Sequence, residues 1–337
     1  MIFPEIRFIL YYHLHLSEFM KTISTVFIML LSMSAMSNEE NTPDADTTYW
    51  LFKGSNSLNF NQTGVTTWAE GGESSLAGTA YISYAAAYQK GKMRSEHLLN
   101  ASFGIMRTEL NKLRKTEDKI DLTSTFGFQA IGNWFYTSQL NIKTQFAEGF
   151  KYPNDSTVVS KFMAPCYLTT SLGMQFKPNN NFTLFLSPAS GKFTLVLDQE
   201  LSDAGAFGVT PVQTDTNGQI IVPSKKVKAE FGINVTARFN RDVFENVSLD
   251  TKLELYNNYF DENKPNRWNI DINWETAIIF NINKFLTSSL RFQMVYDHNI
   301  MVPRYDVINN ERVKISEGPG TQFKETFGIG LAYKFGI

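Results

Sequence analysis

The sequence predicts an all-β protein: a single transmembrane antiparallel β-barrel of about twelve strands behind an N-terminal signal peptide. Three observations predict it. Side chains alternate apolar and polar along runs of roughly 14 to 17 residues, well beyond the usual 5 to 6 of soluble strands. The connections between runs alternate short and long, as in outer-membrane barrels, which have short periplasmic turns and longer outer loops. The chain also carries an export signal near its start.

The elements follow in order. Lys21 opens a positive start, and Ile23 to Met36 form an apolar stretch too short to span a bilayer comfortably. Ala35-Met36-Ser37 supplies small residues for cleavage at Ser37. Met20 is the expected initiator, so residues 1–19 read as an upstream start, 20–37 as the signal and 38–52 as a flexible lead-in. The barrel is expected over 53–337. Its strands fall near 55–63, 76–90, 93–109, 118–131, 134–148, 161–177, 180–190, 226–240, 246–260, 267–282, 285–298 and 322–336. The clearest runs from Trp268 to Ile282, with Trp268, Ile270, Ile272, Trp274, Ile278 and Phe280 on one face and Asn269, Asp271, Asn273, Glu275 and Asn281 on the other. Short turns fall at Gly91-Lys92, Gly132-Asn133, Pro178-Asn179, Arg241-Asp242 and Asn283-Lys284, which puts both barrel ends on the periplasmic side. Trp134, Tyr136, Phe176, Tyr333 and Phe335 suit the inner aromatic belt, and Trp268, Tyr259 and Tyr296 the outer one.

Composition agrees with this reading. Lys and Arg number 31 against 33 Asp and Glu, too even a balance for a nucleic-acid binder. The single cysteine, Cys166, leaves no internal disulfide and no cysteine cage for a metal. The expected partners are outer-membrane lipid, the barrel-insertion machinery, periplasmic chaperones and a small polar solute.

Several blocks resemble a known family. Trp68-Ala69-Glu70-Gly71-Gly72-Glu73-Ser74-Ser75 resembles the NW-x-x-GG-x-x-S signature of domain of unknown function 3078, with Thr67 where Asn usually stands. Leu186-Ser187-Pro188 with Gly191-Lys192-Phe193-Thr194 resembles its middle block. Leu201 to Val209, including Gly205 and Gly208, resembles its loop block, and Tyr296-Asp297 with Lys324 to Tyr333 its last strands. The resemblance implies an outer-membrane β-barrel of Bacteroidota type and brings no known activity. It implies structural roles for Trp68, Gly71, Gly72, Pro188, Gly205 and Gly208.

A search for chemistry finds little. His13 and His15 precede the mature chain, and His97 and His298 lie on distant strands. No HExxH, GxSxG elbow or phosphate-cradling glycine loop is present. A barrel phospholipase would set Ser, His and Asn on the lipid-facing wall. His97 is the one base well inside a strand, and position 99 is Leu99 rather than Ser. No enzyme, cofactor or metal is therefore expected, a lipid hydrolase being the remote alternative.

The polar face is richer. Parity turns Arg94, Lys119, Lys143, Lys228, Arg238, Lys252, Arg291, Lys324 and Lys334 inward, opposite Glu96, Asp121, Glu230, Asp250, Glu254, Asp271, Glu275 and Asp297. A selective pore shows one sign at its constriction. This balance instead predicts ion pairs across the lumen. The expected function is a narrow channel for small polar solutes, with a structural or surface-contact barrel with a plugged lumen as the alternative. The long connection 191–225, with its apolar Ala204-Gly205-Ala206-Phe207-Gly208 tip, is expected to fold inward or to stand outward as a contact surface.

Overall fold

The computed structural model describes residues 49–63, 74–108, 113–152, 156–261, 263–308 and 311–336. Ser37, Trp68, Gly71 and Gly72 lie outside them, as do the expected signal and most of the lead-in. Residues 49–337 form one compact unit.

Twelve strands close into a barrel: β1 (Trp50–Thr63), β2 (Ser75–Lys90), β3 (Met93–Thr108), β4 (Arg114–Ile131), β5 (Trp134–Thr144), β6 (Cys166–Phe176), β7 (Phe182–Leu195), β8 (Val227–Phe244), β9 (Val247–Asn258), β10 (Asp271–Asn281), β11 (Leu286–Tyr296) and β12 (Gln322–Phe335). Each pairs antiparallel with its sequence neighbours, and β1 closes on β12 through Gly54 to Phe60 against Phe335 to Ile329. Closure removes every edge, so no backbone donor of the wall is left to lipid. Gly91 and Gly132 take φ of 56° and 55° in the tight turns, where a β-carbon would be strained.

The outer face is apolar. Phe126, Phe128, Tyr136, Leu172, Phe327 and Ile329 are all exposed on it, a surface that suits hydrocarbon and not water. The inward face is polar, and many of its residues are buried: Ser102, Asp121, Thr125, Asn141, Ser171 and Glu230. A closed barrel with this polarity is a transmembrane barrel of the outer-membrane kind.

Boundaries depart from the sequence reading where local chemistry outweighs alternation. β1 begins at Trp50, inside the expected lead-in, because Trp50 to Lys53 pair with Tyr88 to Ala85. β5 stops at Thr144 because the Asp118 carboxylate takes the N–H groups of Phe146 (2.7 Å) and Ala147 (2.9 Å). β6 starts only at Cys166, since Pro165 has no N–H to give a ladder. Trp268 closes a 3-10 turn, Lys264–Trp268, and is not part of β10.

The Leu186-Ser187-Pro188 block is a β-bulge. Across it the register slips against both neighbours: Leu172 and Met174 of β6 face Ala189 and Leu186, while Gly232 and Asn234 of β8 face Ser190 and Ser187. The bulge accommodates Pro188 in an inner strand, where proline is otherwise excluded. Serines stitch it together: Ser187 Oγ donates to Leu172 O (2.8 Å) and Ser190 Oγ to Ser171 Oγ (2.8 Å). The bulge also presses on β6, where a β-carbon on Gly173 would lie 2.0 Å from Leu186 O. On β8, one on Gly232 would lie 1.8 Å from Asn257 O of β9. Gly173→Ala should cost about 1–3 kcal/mol, because backbone must move. Gly127→Ala, whose nearest neighbour is 3.5 Å away, should be tolerated. The temperature at which folded and unfolded gel mobilities merge checks the difference.

The long connection after β7 is shorter than expected, because β7 continues to Leu195. It holds a helix, Gln199–Asp203, a 3-10 turn, Ala206–Gly208, and a small hairpin, Gln213–Thr214 with Ile220–Val222. Its apolar residues are used locally: Val196, Leu201 and Val209 form a core with Ala164, against which Ala206 and Phe207 pack. Asp198 caps the helix by accepting from Leu201 N (3.0 Å) and ties it to Lys161 (2.8 Å). Those two bonds, Lys161 first, hold the Asp198 carboxyl below its ordinary range. A depressed pKa stabilises fully above the ordinary carboxylate range and is lost as pH falls through the lowered value. Amide exchange over 199–205, corrected for intrinsic rates, should therefore speed up only in acid. Asp198→Ala should speed it up at neutral pH, with the loss of about 1 kcal/mol of cap.

Candidate functional site

Inside the barrel, charged side chains meet across the lumen. β4 and β10 stand on opposite sides of the ring. Lys119 of β4 nevertheless reaches both carboxylate oxygens of Glu275 on β10, at 2.6 and 2.7 Å. Lys143 of β5 pairs with Glu254 of β9, which also binds Lys252 at 2.7 Å and accepts from Asn273 Nδ2 at 2.8 Å. Asp121, almost fully buried, accepts from Asn141 Nδ2 (2.7 Å) and lies 3.8 Å from both Lys119 and Lys252. These groups form one layer of alternating sign from wall to wall in the outer half of the barrel. Even hydrated, such a layer is stronger than its separate pairs, because each charge has several counter-charges.

Other inward residues pair between neighbouring strands or across several of them, as Lys324 of β12 does with Glu117 of β4. Arg238 makes a two-bond fork to Asp250 (3.1 and 2.7 Å), and Arg94 and Lys177 share Glu96 (2.9 and 2.7 Å) near the inner rim. Asp271 and Asp297 both approach Lys192, at 3.2 and 3.9 Å. Arg291 lies over the Tyr81 ring, 4.1 Å from its centre, and its buried Nε has no hydrogen-bond partner. A cavity of about 210 Å³ lies inside the barrel, bordered by Ser57, Asn59, Ser83, Arg238, Glu275 and Arg291. No residue of 196–226 borders it. The tip is not in the cavity; Gly208 sits near the Lys228 side chain at the outer rim instead. Gly205 takes φ of 70° before the 3-10 turn.

Lys192 is absent from the inward face that parity predicts. The alternation pattern leaves it in a loop, and the bulge resets the parity of β7 beyond Ser187. Its one signal is the Gly191-Lys192 pair of the middle block.

The outer wall holds a second cluster. His97 faces outward on β3, and position 99 offers it no serine. The fold supplies two others. Ser95 Oγ is 2.7 Å from His97 Nε2, and Ser124 Oγ, across the ladder on β4, is 3.1 Å from Nδ1. Ser95 precedes His97 by two residues and so shares its face, a position as legible as 99. His298 bonds Tyr296 Oη at 3.0 Å near the outer rim. Among the described residues no cluster of His, Cys, Asp and Glu could hold a metal. Cys166 is buried and free.

A closed barrel, apolar outside and charged within, defines the class: an outer-membrane β-barrel protein. Residues 60–150 match the model of the family described as "Protein of unknown function (DUF3078)". No curated protein matches the chain. Among solved structures the chain is similar to the COG4313 outer membrane channel from Pseudomonas putida F1, at 11% identity over 88% of this chain and 100% of that one, TM-score 0.35. It is also similar to the NanC porin, at 8% identity over 83% and 100%, TM-score 0.35. A third is the translocator domain of the autotransporter NalP from Neisseria meningitidis, at 9% identity over 94% and 98%, TM-score 0.29.

Proposed function

We propose that the protein is a narrow outer-membrane passage for small polar solutes, held shut by ion pairs between opposite walls. The observation that carries this reading is the Lys119–Glu275 bridge over a polar cavity. Every residue that borders the cavity belongs to a barrel strand. Side chains on rotatable stems can part and re-form, whereas a packed plug segment cannot. The near-equal numbers of inward cations and anions support weak ion selectivity.

Lipid bilayer recording tests this. The native protein should show a small conductance that grows at high salt, where screening weakens the bridges. Glu275→Gln should raise it at low salt. If bridge-breaking variants insert correctly and remain insulating, the rival reading stands: a structural barrel, with a filled lumen and outer loops serving contact. The bracing of opposite walls is what favours that second reading.

A further inference from the structure

Beyond transport, the outer wall carries an arrangement that a lipid-facing surface does not need. We propose that Ser95, His97 and Ser124 form an ester-hydrolysing site for glycerophospholipids of the inner leaflet. Three polar side chains on a wall that meets lipid are costly unless they bond one another or something polar in the membrane. They bond one another in the order that a nucleophile, its base and the group orienting that base require. Ser95 Oγ lies 2.7 Å from Nε2 and Ser124 Oγ 3.1 Å from Nδ1. Nδ1–H donating to Ser124 leaves Nε2 free to accept from Ser95.

Two further observations point to a lipid ester. The first is an apolar groove of about 980 Å³ on the outer wall, lined by Tyr88, Phe126, Phe128, Leu172 and Leu186, with Ser95 in its lining. Its size falls in the usual range of ligand sites, and its lining suits an acyl chain. The second is depth. Ser95 and His97 are two and four residues from the inner end of β3 at Met93. With the rise and tilt of barrel strands that is about 5 and 10 Å along the membrane normal. Trp50, Tyr88 and Trp134 lie at the same rim. Trp50 stacks on His97 with centres 6.0 Å apart, and Phe126 meets the imidazole edge-on at 5.3 Å. Aromatic belts mark the boundary between headgroups and hydrocarbon, where the glycerol esters sit.

The reaction balances with water as co-reactant. Ser95 Oγ attacks the ester carbonyl as its proton passes to Nε2. The C–O bond to glycerol then breaks, and the departing oxygen takes that proton, releasing a lysophospholipid. Water next gives a proton to Nε2 as its oxygen attacks the acyl-Ser95 ester. The proton returns to Ser95 Oγ and a fatty acid leaves. Ser124 is a positioning residue, touching only the imidazole.

The test uses the full chain folded into detergent micelles with phosphatidylethanolamine labelled in an acyl chain, and a fluorophosphonate probe. Folding of every variant is checked by heat-modifiable gel mobility. Expected are probe on Ser95, release of labelled fatty acid, and a loss of at least about 100-fold in Ser95→Ala and His97→Ala, the range that general-base catalysis supplies. Ser124→Ala should lower kcat with KM unchanged, and Ser124→Thr should restore it. Ser248→Ala, at the inner rim of β9, should change nothing. A folded native protein that releases no more fatty acid than Ser95→Ala, or that takes the probe elsewhere, overturns the proposal. So does lipid that binds the groove and stays intact.

Discussion

Ile329→Arg should destabilise the barrel by about 2–4 kcal/mol, whereas Asn100→Lys should change stability by less than about 1 kcal/mol. Both positions lie near mid-strand, and they differ in the face they occupy. Ile329 is 48% exposed on the outer wall. A guanidinium there sits in hydrocarbon and must snorkel or draw water after it. Asn100 turns inward, borders the cavity and stands directly opposite Asp121 on β4. An ammonium there meets a carboxylate and water. Equilibrium urea unfolding of the protein in lipid vesicles, followed by tryptophan fluorescence, gives both values. Equal losses at the two positions would mean that the two faces do not meet different surroundings, and the assignment of the walls would fall.

Much of this architecture is legible in the chain because lipid enforces a strict rule. A strand between hydrocarbon and a polar lumen must alternate, so Phe327, Ile329 and Leu331 read as a wall from their spacing alone. The turns at Gly91 and Gly132 are as plain. What escapes is what alternation does not encode. The bulge at Ser187-Pro188 adds a residue, so parity counted through it points Lys192 the wrong way. Trp268 fits the outer-face pattern, yet a 3-10 turn holds it off the strand. Inwardness says nothing of which opposite residue is met, because that depends on strand tilt and stagger around the ring. Lys119 and Glu275 are 156 residues apart and share no local signal. The His97 cluster escapes for a simpler reason. Its partners lie two residues upstream and on the next strand, where a serine sought only downstream of the base is not found.

Glu254→Leu should be the most disruptive change inside the lumen. Glu254 accepts from Lys143, from Lys252 at 2.7 Å and from Asn273 at 2.8 Å, so its removal leaves two ammonium groups facing each other from different walls. Removing one partner of a buried pair costs about 3–5 kcal/mol in a dry interior. Here the side chains of Lys143 and Glu254 are 21% and 19% exposed, so lumen water offsets part of that, and about 2–3 kcal/mol is expected. The double variant Lys143→Met with Glu254→Leu separates repulsion from packing. It removes one of the two stranded cations, while Lys252 keeps Asp121 at 3.8 Å. The double variant should recover about half of the single loss, a coupling within the range measured for contacting residues. The two variants should diverge from stability in their conductance: both lack the Lys143 bridge, so both should conduct more than the native barrel. Losses that simply add would show that Lys143 and Glu254 act separately. The layer would then be a set of hydrated side chains with no bracing role, and the lumen would have to be held shut by something else.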